Sequence, residues 1–209
     1  MWRLLQLADS AFPTGGFAHS GGLEAAAQAR EVNCAEELRR FALGAIWQAG
    51  FGALPLLRAG HRDPSALPAL DARADAFIVN HVANRASRTQ GRALLATCRR
   101  AFPDEVPELP AQHLAPLWGA IFRHLGVPLV DAQRIFLWSV ARGMLSAAVR
   151  LGLAGTHQAQ AMLSQLAGAL DEALTVCGPL ELEALAQTAP LSDLLQATHD
   201  RLYSRLFQS

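Results

Sequence analysis

IFLWSVARGMLSAAVRLGLAG, residues 135–155, is long enough and apolar enough to span a bilayer, yet it carries Arg142 and Arg150. Two guanidinium groups are costly in lipid, so this stretch must be surrounded by protein instead. In the helix predicted over 130–153, Ser139, Arg142, Ser146 and Arg150 fall at i, i+3, i+7 and i+11 and form one narrow polar stripe. Ile135, Phe136, Trp138, Met144 and Leu145 make the remainder apolar. A helix greasy on nearly every side belongs near the centre of a bundle. Its arginines read as snorkelling or ion-paired side chains.

Helical signals continue on both sides. Asn33, with Glu36 three residues on, has capping-box character and opens a helix that Pro55 is expected to kink or end. HRDPSALPAL, from residue 61, reads as a loop with two prolines. A helical run then extends to about residue 101, with a break near Asn84. Helices are predicted over 113–125, 130–153, 156–176 and 191–208, with a proline-rich connector at 102–112 and a turn after Cys177. No segment alternates with period two, so no sheet is expected. The predicted fold is all-α, a single-domain bundle of about eight to ten helices spanning residues 1–209.

Bulk composition narrows the function classes. Hydrophobic residues make up 51% and charged residues 17%, against about 25% charged in ordinary soluble domains. A surface so poor in charge leaves apolar area for partner proteins. The net charge of zero provides no field to gather nucleic acid or an anionic membrane. Cys34, Cys98 and Cys177 are scattered and odd in number, which fits reduced thiols in a core. The N-terminus lacks a signal-peptide pattern, so the chain reads as cytoplasmic.

Catalytic and metal-binding patterns are scarce. PTGG lacks the lysine and preceding strand of a phosphate loop, and GGFAHSGG lacks the strand of a dinucleotide fold. The seven histidines include no pair at metal-ligand spacing. No cofactor or metal site is expected. His19, Ser20 and Asp9 lie too close in sequence, with no elbow around the serine, to make a nucleophilic triad.

Three stretches look built for contact. DSAFPTGGFAHSGGLE, residues 9–24, concentrates Gly15, Gly16, Gly21 and Gly22 around Pro13, Phe12, Phe17 and His19. Glycines permit positive φ, so this stretch can fold as a shaped loop. With Gly21 as N-cap, Glu24 takes the third helical position. In the second stretch, NRASRTQGRALL, Arg85, Arg88 and Arg92 line one face, while Ser87 and Gly91 allow another segment to approach closely. That basic stripe is either a plain solvated face or a seat for an acidic partner. In the terminal stretch, residues 191–209, Leu195, Leu202 and Leu206 form one stripe. His199, Tyr203 and Phe207 form a second, and Arg201 and Arg205 a third, a composition suited to an interface.

LLQLADSAFPTGGFAHSGGLE strongly resembles the N-terminal signature of the UreF family of urease accessory proteins. NRASRTQGRALL, RGMLSAAVRLGL and HDRLYSRLF resemble further blocks of that family in the same order. One departure follows RLGLAG, where Ala159 precedes Gln160 in place of a frequent glycine–glutamine pair. The resemblance implies a non-catalytic adaptor that joins a UreD (or UreH) scaffold and the GTPase UreG. That assembly delivers nickel to apo-urease in a GTP-dependent step. The resemblance also implies a homodimer within the complex and modulation of the GTPase. Neither nucleic acid nor a membrane is an expected partner.

The loop at 9–22 and the helix at 191–209 are then the expected partner-binding elements. Their candidate residues are Phe12, Pro13, Thr14, Gly15, Gly16, Phe17, His19, Ser20 and Glu24 at the N-terminal end and Arg201, Tyr203, Arg205 and Phe207 at the C-terminal end. Arg85, Gln90 and Arg92 join them from the basic stretch. The alternative from another class is a helical-bundle enzyme or ligand carrier using the 9–24 loop.

Overall fold

The longest helix runs straight through its proline. In the computed structural model, which describes residues 1–209, Pro55 is buried inside α3 (Ala35–Arg62). A proline frees the carbonyl four residues earlier. Here that carbonyl, on Phe51, accepts from the Ala186 amide at 3.4 Å. The helix therefore continues where the sequence predicts a kink or an end. Gln48 on the same helix holds the connector further, its Oε1 accepting from the amides of Thr188 (2.6 Å) and Ala189 (3.1 Å).

Ten α-helices and no strand make up the fold, as the sequence predicts. Before α3 come α1 (Trp2–Ala8) and α2 (Leu23–Gln28). After it come α4 (Leu67–Phe77), α5 (His81–Ala101), α6 (Leu114–His124) and α7 (Leu129–Arg150). The chain closes with α8 (Thr156–Gln165), α9 (Ala167–Cys177) and α10 (Pro190–Ala197). No helix is long and apolar enough to cross a membrane.

One contiguous core runs from Leu7 to Phe207. α3 packs most extensively on α6, and α7 is touched by α1, α2, α3, α6, α8 and α9, as its apolar surround requires. Trp118 stacks on Phe122 (4.8 Å between centroids), meets Phe136 edge-on (5.3 Å), and donates its indole N–H to Ala132 O. The polar stripe of α7 is used as well. Ser139 back-bonds to Phe136 O, and Arg142 donates to Ala8 O at the end of α1. Burial holds the Arg142 guanidinium below its ordinary pKa, with Asp9 partly offsetting that effect.

Several boundaries differ from expectation, each for a local reason. The first cap of α3 is Cys34, and Glu37, one residue beyond the expected Glu36, accepts from the Asn33 amide at 2.8 Å. Cys34 is thus exposed at a helix end, whereas Cys98 and Cys177 are buried as expected. Burial pushes the Cys98 thiol up to about 12. Pro68 lies in the first turn of α4, where its missing N–H costs nothing. Leu166 divides the predicted 156–176 helix into α8 and α9.

The break expected near Asn84 falls at 78–80. Asn80 caps α5 by accepting from the amides of Val82 (3.0 Å) and Ala83 (3.3 Å). Asn84 closes the turn from inside, donating to Ile78 O and Asp75 Oδ1. Losing such a cap costs about 1–2 kcal/mol, and each kcal/mol moves Tm by about 2–4 °C in a chain of this size. Asn80 also donates to Asp193 of α10. An Asn80→Ala variant should therefore melt about 2–8 °C lower in a calorimetric scan, by the same two scales.

A candidate docking face built from loop, helix and tail

The glycine-rich stretch folds as a loop leaning on α5. Gly15, Gly21 and Gly22 have φ of +78°, +60° and +89°, whereas Gly16 opens a short 3₁₀ turn (Gly16–Ala18) and needs no such freedom. Gly22, not Gly21, caps α2, which puts Glu24 at the second helical position. Gln90 and Ala93 lie against Gly15 and Gly16. The Thr97 hydroxyl donates to Pro13 O at 2.8 Å, and the Thr14 amide donates to Phe12 O across the proline. Phe12 packs onto the core, while Phe17 is 70% exposed.

The C-terminal segment departs most from expectation. Helix α10 ends at Ala197, a 3₁₀ turn spans His199–Arg201, and residues 202–209 are not helical. The helical stripes predicted along 191–209 therefore do not form. Long-range hydrogen bonds take the amides that a helix would have used. Glu24 is 2% exposed. Its Oε1 accepts from the Leu206 amide (2.6 Å) and its Oε2 from the Phe207 amide (3.1 Å) and His199 Nε2 (2.9 Å). The Ser20 amide donates to Ser209 O (2.6 Å), and the Gln208 amide to Ala18 O (2.8 Å). The Ser20 hydroxyl also donates to Ser209 O, and Gln28 donates to Ser204 O. Tail and loop are thus stitched together along residues 18–28.

Arg150 supplies the other half of the clasp. Its guanidinium lies 3.8 Å from the Phe17 ring centroid and 4.2 Å from that of Phe207, and it donates to Phe17 O. This snorkelling arginine, read as merely structural, ties the loop to the tail through cation–π contacts. His19 shares a hydrogen bond with the Ser209 hydroxyl (2.7 Å), so no triad with Ser20 and Asp9 forms; Asp9 instead caps the Ala11 amide. Burial is the main reason His19 titrates below the ordinary histidine value; the Arg85 charge and His199 act in the same direction.

Part of the basic stripe on α5 is neutralised from within. Arg85 grips both oxygens of Asp200 (2.7 and 3.1 Å), which holds that carboxyl below its usual range and raises Arg85. His81 and Arg205 reach the same carboxylate at 3.2 and 3.5 Å. Arg88 pairs with Asp75 beside the buried His113, and Arg92 donates to Gln112 Oε1. The close approach foreseen at Ser87 and Gly91 is made by the 112–114 connector. There the Ser87 hydroxyl accepts from the Leu114 amide, and Gly91 abuts the Gln112 carbonyl.

The candidate residues accordingly gather on one side of the bundle. Loop residues 18–20 bond the tail directly and Phe17 reaches it through Arg150, Arg85 holds it through Asp200, and Gln90 lies against the loop at Gly15, whereas Arg92 is tied to the 112 connector and Phe207 is 5% exposed. Arg201 is exposed, Leu206 is 52% exposed, and Tyr203 is entirely open to solvent. Beside them Val79, Leu191 and Leu194 are 79%, 75% and 66% exposed, near the Asn80–Asp193 hydrogen bonds. Exposed apolar side chains on a face that also carries arginines have the chemistry of protein docking. No group of three or more His, Cys, Asp or Glu side chains gathers as a metal site.

A family model described as UreF matches residues 32–167. The chain is 36% identical to urease accessory protein F of Oryza sativa subsp. indica, over 99% of this chain and 84% of that relative. It is 35% identical to the Arabidopsis thaliana protein of the same name, over 100% of this chain and 92% of that relative. With urease accessory protein UreF of Rhizobium etli (strain CIAT 652) the identity is 31%, over 99% and 95%.

The chain belongs to the UreF family. The matched span of the family model takes in α3 to α7, α8 and the single residue Ala167 of α9. The loop at 9–22 and the tail lie outside it, although the pairwise relatives extend across both.

Proposed function

We propose that this UreF-family chain serves urease maturation as an adaptor, bridging a UreD- or UreH-type scaffold and the GTPase UreG during GTP-dependent assembly of the nickel centre. It works in the cytoplasm, as a homodimer within the complex, and modulates the GTPase by position and contact. The 9–22 loop and the 191–209 segment form the docking face. The observation that carries this reading is the convergence of loop, α5 and tail on one surface. That surface leaves Phe17 and Tyr203 exposed while their neighbours Phe12 and Phe207 hold the fold.

Tyr203 provides the cleanest test, because a side chain 105% exposed contributes nothing to this fold. The Tyr203→Ala variant should melt within about 1 °C of the parent, as surface changes generally cost less than ~0.5 kcal/mol. Aromatic anchors at interface centres contribute about 2 kcal/mol or more, so capture of UreD and UreG by this variant should fall at least about tenfold. Urease activation in a reconstituted assembly should fall with it. Unchanged capture by a Phe17→Ala/Tyr203→Ala double variant would remove this face from the account.

A further inference from the structure

We propose that the groove between the α4–α5 turn and the exposed face of α5 receives an acidic segment, interspersed with apolar side chains, from an assembly partner. The inference rests on the adaptor reading and adds the chemistry of what docks. The groove has a volume of about 510 Å³. Arg85, Arg88 and Arg92 line it with Asp75 as its one carboxylate, and Ile78 and Val79 supply its apolar part.

The chain's own tail demonstrates what this surface accepts. Asp200 lies in the fork of Arg85 and 3.2 Å from His81, and a planar guanidinium matches a carboxylate at two points. Arg92 stands seven residues further along α5, about 10 Å away at the helical rise of ~1.5 Å per residue. It is exposed, and its bond goes to the neutral side-chain oxygen of Gln112. Nearby negative charge is otherwise committed. Asp75 is held by Arg88 and Asn84, Asp71 by the amides of Gln112 and His113, and Asp193 by Asn80. Asp200 brings Arg205 with it, so docking of the tail leaves the positive surplus of the groove in place.

The apolar part of the groove points to a protein segment as the source of the negative charge. Val79 is 79% exposed, and the bonds from Asn80 to Asp193 draw α10 alongside with its exposed Leu191 and Leu194. Carboxylates interspersed with apolar side chains satisfy both kinds of surface. A nucleic-acid backbone would satisfy the arginines alone.

Val79 tests the sign of the occupant's charge without altering any guanidinium group. UreD and UreG are captured on the full chain carrying either Val79→Glu or Val79→Lys. Both variants lose the same apolar contact, so the charge they add is what separates them. At about 50 mM salt the lysine variant should capture at least about tenfold more than the glutamate variant. The gap should shrink below about threefold at about 1 M salt, where the screening length is only ~3 Å. The same pair of changes at Val176, an exposed position on α9, should produce no gap. Equal or reversed capture by the Val79 pair, a gap as large at Val176, or a gap that survives salt overturns the proposal. A parent chain that captures neither protein overturns the adaptor reading, and this inference falls with it. A parent that captures them beside an equal Val79 pair overturns this inference alone. The second probe is a single-stranded oligonucleotide, which should not bind the parent. Oligonucleotide binding that Val79→Glu abolishes would assign the arginines to phosphate and overturn the acidic segment.

Discussion

Replacing Glu24 with alanine should free the tail while leaving the bundle folded. The buried carboxylate receives three hydrogen bonds, all from residues 199–207. Bonds to a charged group contribute about 1.5–3 kcal/mol each, and an abandoned buried donor costs about 1–3 kcal/mol. The chain avoids stranding those donors by letting the tail leave. We expect amide protection at Leu206 and Phe207 to drop about a hundredfold or more, equivalent to about 3 kcal/mol. The helical circular dichroism should barely change, because residues 202–209 are not helical. Glu24→Gln should fall between the two, since its amide presents an N–H where one of the tail donors now points. Retained protection in Glu24→Ala would mean that Arg150 and Phe207 hold the tail unaided.

Gly91→Ala should damage the whole fold. A Cβ at Gly91 would sit closer to the Gln112 carbonyl oxygen than any real contact allows, and the obstacle is backbone, which cannot swing aside. Overpacking a core commonly costs 1–3 kcal/mol, and a backbone clash lies at about the top of that range or beyond. At about 2–4 °C per kcal/mol, Tm should fall by about 6–12 °C. Gly143→Ala is the matched control. It lies inside α7 with nothing within 4 Å of the added Cβ, and helix propensity alone should then stabilise by up to about 1 kcal/mol. The same chemical change, with opposite sign at two helical glycines, isolates the close approach of the 112 connector to α5.

The helices were legible because their signals are local. The apolar surround of α7, its polar stripe and the Ser87–Gly91 spacing each state a packing requirement that the structure meets in place. The tail was not legible, and for a definite reason. His199, Tyr203 and Phe207 recur every fourth residue, as on a helix, but the competing partners lie some 180 positions away, in Glu24, Ser20 and Ala18. Nothing local to residues 199–209 announces them. Pro55 misled for a similar reason, because the donor that rescues the Phe51 carbonyl comes from Ala186. Glu24 reads from sequence as a helix-start residue near a candidate surface; its burial and its role as anchor for the tail depend on contacts that only the assembled fold supplies. Arg150 reads from sequence as an ordinary snorkelling arginine, and only Phe17 and Phe207, far apart in sequence, turn it into a clasp.

Apolar side chains are also exposed away from the loop and tail, so the docking face must be distinguished from a rival. Met1, Trp2 and Leu5 of the α1 region are 87%, 84% and 55% exposed, and Trp138 of α7 is 36% exposed. Exposure alone does not rank the two surfaces; the loop–tail side adds fixed arginines and a shaped backbone.

The deciding measurement is a hydrogen-exchange footprint of this chain, alone and in complex with UreD and UreG. New protection should appear at residues 16–20, along the exposed face of α5 near Arg85, and over 199–206. Protection confined to α1 and Trp138, with loop and tail exchanging as in the free chain, would contradict the claim that loop, α5 and tail form the surface through which this protein works.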